Sequence, residues 1–158
     1  LRIIVVLIRI AAGAAFLFLS VKKLLDSGFM YGGLMHAIES AGKPFPFYSS
    51  FLGSGVENHQ VFFTFAVTIG GLLLGISLLL GAGVSLSAVC GAILLVNIAL
   101  ATDYGNWPHL GGHLAGAVAL LALGRIGAGI TGGLDGWLVE RLPPALVLFP
   151  LRRSPPRD

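Results

Sequence analysis

From Val61 to Thr102 the chain carries no charged side chain, and the run is interrupted only by Gly81-Ala82-Gly83. It is too long for one membrane crossing and suited to two. A helix that crosses the ~30 Å hydrocarbon core needs about 20 apolar residues at roughly 1.5 Å each. Residues 61–80 supply one span and residues 84–101 another, with the glycines permitting a tight reversal. The rest of the sequence is therefore read with lipid as its solvent.

Composition agrees, with 56% hydrophobic and only 11% charged residues, where a water-soluble domain carries about 25% charged. A length of 158 residues fits one membrane domain over residues 1–142 and a Pro/Arg-rich tail over residues 143–158. The net charge of +3 comes mainly from the ends and flanks, so it reads as topology signal, and no nucleic-acid partner is expected. Cys90 is the single cysteine, which excludes an internal disulfide and a paired-cysteine metal or redox motif. Its place inside a span reads as a buried small apolar residue rather than a reactive thiol.

Two further spans are expected over residues 3–24 and 108–129. The apolar character of residues 1–8 continues past Arg9 to Leu19, too long for the core of a cleaved signal peptide. Between the first two spans, residues 26–60 form the one long loop. An amphipathic helix is expected over residues 29–41, followed by an irregular stretch with Phe45, Phe47, Tyr48 and Phe51, all lying in the membrane interface. After the fourth span, Gly132-Gly133 and Pro143-Pro144 interrupt any continuous helix. Residues 134–142 are expected as a short surface helix with Trp137 facing lipid, and Arg152, Arg153 and Arg157 suit anionic head groups. The expected fold is an all-α membrane protein, an antiparallel four-helix transmembrane bundle with an interfacial loop between helices one and two.

This topology gathers His36, His59, His109 and His113 on one side of the membrane, with Glu39, Glu57 and Asp103. His109 and His113, four apart, share a helix face. Two readings stay open: a cofactor face for quinone or, secondarily, a tetrapyrrole pigment, and ordinary hydrogen-bonded interfacial histidines. The pair lacks the central Glu of a zinc-protease helix, so no metal site is expected, and no catalytic residue is assigned. Arg9 within the first span is costly unless it faces protein, water or an acid. Asp135 and Glu140 are candidate partners, and reach to the interface is the alternative. Lys23 and Asp135 are the other polar residues to place. Small residues four apart, Gly71 with Gly75 and Gly112 with Gly116, are expected to let helices approach closely.

Arg9, Gly13, Lys23-Leu24 and Asp26, then Gly70–Gly81, Leu95–Ala101 and Ala128-Gly129-Ile130-Thr131-Gly132-Gly133-Leu134-Asp135, together resemble the DoxX-like membrane proteins. The similarity is greatest to the DoxD-like small subunit of thiosulfate:quinone oxidoreductase. Gly71 stands where that family often has Glu, Ser85 and Ile130 where it often has Arg, and Gly132 where it often has Trp. The resemblance thus implies the four-helix fold more strongly than a reaction. The function expected is an accessory or structural transmembrane subunit of a larger bacterial redox or energy-converting complex, without turnover of its own. The alternative is a quinone-interacting subunit of a thiosulfate:quinone-type oxidoreductase. Lipids and other subunits are the expected partners. Basic residues are more numerous on the terminal side, so both termini are expected in the cytoplasm and the protein in the bacterial inner membrane.

Overall fold

The computed structural model describes residues 2–152 and residue 154; the topology signals Arg153 and Arg157 lie outside the described residues. Four helices are long and apolar enough to cross a membrane. They are α1 (Arg2–Leu25), a helical stretch Pro46–Leu80 that ends in α5, α6 (Val84–Thr102) and α7 (Trp107–Ile126). Within that stretch α5 proper is Gln60–Leu80, and the shorter helices are α2 (Ser27–Met30), α3 (Leu34–Ala41), α4 (Pro46–Phe51), α8 (Leu134–Val139) and α9 (Pro144–Val147). The surface is inverted relative to a water-soluble protein. Ile3, Leu7, Phe18, Phe62, Leu73 and Val118 point outward with more than half of their area free, as helices bathed in acyl chains require. These features mark a multi-pass membrane protein.

Two expectations about the loop are corrected. Gly32-Gly33 divides the single expected helix into α2 and α3, and Asp26 starts α2 by accepting a hydrogen bond from the Phe29 N–H at 3.1 Å. The stretch after Pro46 is helical where irregular structure was expected. Proline at the first turn starts α4, a π-helical turn over Leu52–Val56 and a 3-10 turn over Glu57–His59 carry the chain onward, and α5 follows without a break. Backbone continuity through Gly53, Ser54 and Gly55 has no hydropathy signature, which is why the sequence hid it.

The helices pack as two pairs. α1 runs along α5, α6 runs along α7, and α5 meets α6 only sparsely. At the α5–α6 turn Gly81 and Gly83 hold φ of 68° and 64°, left-handed values that favour glycine. One core cluster lies beside this turn, with Leu78, Val84, Ala88, Leu120, Leu123 and Ala128 buried. A second gathers Phe29, Leu34, Leu52, Val56 and Ala101 at the opposite end. There the segment between α3 and α4 docks on the end of α6. The Lys43 N–H donates to Thr102 O at 3.0 Å, the Phe45 N–H to Leu100 O at 2.9 Å, and the Tyr104 N–H to Lys43 O at 3.0 Å.

The α1–α5 interface is built from small and polar side chains. Gly13, Ser20, Thr64, Thr68, Gly71 and Gly75 are all buried, consistent with close packing between helices that share lipid as solvent. A Cβ on Gly75 would lie 2.7 Å from the Leu17 nitrogen, and one on Gly13 2.9 Å from the Leu79 nitrogen. Of the four glycines expected at helix contacts, Gly71 and Gly75 thus serve α1, and Gly116 faces the side chain of Leu95. Gly112 does not fit that expectation: a Cβ there would meet nothing within 4 Å.

Candidate functional site

Three centres stand out in this apolar frame, two of them polar. The first is a knot around Arg9, which is only 1% exposed. Its Nη1 donates to Ala128 O at 2.7 Å and Thr131 O at 3.3 Å, and its Nη2 donates to Gly132 O at 3.0 Å. These carbonyls are free because α7 stops at Ile126, where Gly127 takes a φ of 74°. The chain then wraps Arg9 in place of continuing the span to residue 129.

Asp135 completes the knot from α8. Its two carboxylate oxygens accept the Gly83 N–H at 2.6 Å and the Val84 N–H at 3.1 Å, and its own N–H donates to Gly81 O at 2.8 Å. A carboxylate is thus set on the first turn of α6, where unpaired N–H groups and the helix dipole favour negative charge. Burial pushes the Asp135 carboxyl above the ordinary carboxylate range, while the two N–H donors and the nearby Arg9 charge pull the other way. Among the described residues Arg9 and Asp135 do not form a direct ion pair; the guanidinium goes to carbonyls and the carboxylate to amides. Glu140 is exposed.

The second centre is at the other end of the molecule. Asp103, 2% exposed, accepts a hydrogen bond from the Thr102 hydroxyl at 2.9 Å and lies 2.6 Å from His113 Nδ1. Here a carboxylate and an imidazole are hydrogen-bonded beside the docked Lys43–Phe45 segment. The other histidines are placed differently. His36 in α3 and His109 on the first turn of α7 are exposed, and the His59 ring contacts its own backbone at Gly55 O, 3.0 Å away. No hydrogen bond joins two of these rings among the described residues, and no group of three or more metal-ligating side chains is found there.

The third centre was not legible in the sequence. Because α5 and α6 diverge away from their turn, they leave a laterally open groove of about 970 Å³. Its walls are apolar residues such as Phe63, Val67, Leu73, Leu86 and Ile93, and α3 and α4 close one end through Ile38, Tyr48 and Phe51. Cys90 lines the groove and is exposed, which corrects its expected burial. Lys23, from the last turn of α1, reaches the same groove, its Nζ 5.4 Å from the centre of the Phe29 ring. Hydropathy marks α5 and α6 as spans, but the angle at which they part depends on packing that hydropathy does not encode.

No family model matches this chain, and comparison with curated proteins and with solved structures finds no match.

Proposed function

We propose that this protein is an accessory transmembrane subunit of a larger bacterial redox or energy-converting complex, an antiparallel four-helix bundle that works by assembly and not by turnover. The observation that carries this reading is the outer face of α7. Gly112, Ala115, Ala119 and Ala122 are all exposed and fall on one side of the helix. Lipid contact alone needs only apolar bulk, whereas a smooth strip of small side chains admits another helix at close range. The resemblance to DoxX-like proteins supports the same reading.

The double change Ala115→Leu and Ala119→Leu tests it. Both positions are open, so the helical content and thermal unfolding of the chain should stay unchanged. On native gels in mild detergent, the wild-type chain should migrate with subunits that carry visible redox spectra, and the variant should run free of them. Co-migration that survives the substitution, or quinone reduction by the purified chain alone, would overturn the proposal.

In this complex we place both termini in the cytoplasm. In the sequence Arg2, Arg141, Arg152, Arg153 and Arg157 on the terminal side outnumber Lys22, Lys23 and Lys43 on the loop side. Trp107 and Trp137, both at least half exposed, anchor the two interfaces, with the Arg141 guanidinium 4.0 Å above the Trp137 ring. A cysteine introduced at the exposed Ser54, with Cys90 changed to Ala, should react with an impermeant maleimide added outside intact spheroplasts. Protection of that cysteine until lysis would invert the topology.

A further inference from the structure

We infer that the groove between α5 and α6 is a binding site for one anionic phospholipid, its phosphate held at Lys23 and an acyl chain laid along the two helices. The argument begins with the lining. Among the described residues that line the groove, Lys23 is the single charged one. Its neutral polar neighbours already have partners within the protein. The Tyr48 hydroxyl donates to Asn97 Oδ1, the Asn97 amide to Ile93 O, the Thr102 hydroxyl serves Ile98 O and Asp103, and Ser77 pairs with Ser87. Among the described residues no hydrogen bond or ion pair occupies the Lys23 ammonium, whose Nζ lies only over the Phe29 ring. Asp26, the acid nearest to it in sequence, caps α2 through the Phe29 N–H, and no carboxylate lies within ion-pair distance of Lys23 among the described residues. An ammonium at the rim of an apolar groove is complementary to a negatively charged head.

Geometry selects a membrane lipid. Lys23 belongs to the last turn of a spanning helix, the level at which lysine meets head-group phosphates. From there the apolar walls continue to Leu80 and Leu86 beside the α5–α6 turn, most of the ~30 Å that a helix of this length covers. The volume of about 970 Å³ lies at the upper end of small-molecule sites, about 300–1,000 Å³. Because the groove opens sideways, a lipid enters from the bilayer and keeps its second chain there.

The full chain, reconstituted with equal amounts of phosphatidylglycerol and phosphatidylcholine and released gently for native mass spectrometry, tests this directly. Phosphatidylglycerol should be retained about fivefold over phosphatidylcholine, the discrimination that one lysine near the surface supplies. Lys23→Gln should bring the ratio close to one without reducing total bound lipid, and Lys23→Arg should keep the preference. Gly70→Phe should expel both lipids, since Gly70 lines the groove and a Cβ there meets nothing within 4 Å; unchanged helical content would show that the loss is not unfolding. Equal retention by the wild type, a preference that survives Lys23→Gln, or a fatty acid or neutral quinone found in place of phospholipid would overturn the inference. None of these outcomes depends on whether the chain assembles with redox subunits.

Discussion

Replacing Arg9 with leucine is expected to cost this protein a large part of its stability. The guanidinium is almost fully enclosed and donates to the carbonyls of Ala128, Thr131 and Gly132. Leucine fills part of the volume but offers no donor, so these carbonyls lose their partner inside a low-dielectric site. Each unsatisfied buried group costs about 1–3 kcal/mol. The Asp135 carboxylate also loses its nearest countercharge, and removing one partner from a buried charged cluster costs about 3–5 kcal/mol. The expected result is a loss of about 3–5 kcal/mol in reversible unfolding by denaturing detergent. Arg9→Lys should fall between wild type and leucine, because a single ammonium keeps the charge but cannot reproduce the planar fork. Unfolding that coincides with the wild type would show that the knot contributes nothing to the fold.

Gly75→Leu is expected to act by geometry in place of charge. A side chain there must displace the backbone of Leu17, since its Cβ would approach Leu17 N to 2.7 Å and Leu17 Cα to 2.9 Å. Main-chain atoms cannot rotate out of the way, so α1 must move off α5 as a body. Overpacking costs about 1–3 kcal/mol even where side chains can yield, and here the whole Gly13–Gly75 contact opens. The expected outcome is loss of the folded chain in mild detergent, read as aggregation on size-exclusion chromatography. Gly112→Leu is the matched control. It adds the same bulk where a Cβ meets nothing within 4 Å, and it should leave the purified chain monodisperse. If both variants behave alike, the α1–α5 contact is not what holds this pair.

The membrane spans were legible because lipid imposes a simple requirement: about 20 consecutive apolar residues per helix. The uncharged run from Val61 to Thr102 and the position of Arg9 meet and break that requirement in plain view. Arg9 and Asp135 were therefore recognisable as residues needing partners. The partners of Arg9 were not recognisable, because they are backbone carbonyls, and every residue carries one. They became available only when Gly127 ended α7 early and turned residues 128–133 back over the first span. The histidines were likewise visible as a group, yet the tertiary structure ties one of them, His113, to Asp103 and leaves His36 and His109 exposed.

Sequence alone determined that this chain carries four helices long and apolar enough to span a membrane, and that Arg9 inside the first of them must be answered. It did so because transfer from water to hydrocarbon is a property of each segment by itself. Only the tertiary structure decided which glycines touch a neighbour, that α5 and α6 part to form a groove, and that Lys23 stands at its rim. Between helices already in lipid no hydrophobic gradient selects a face, so the choice falls to close packing and to the pairing of polar groups. Those depend on the shapes of two helices at once, and neither helix records them separately.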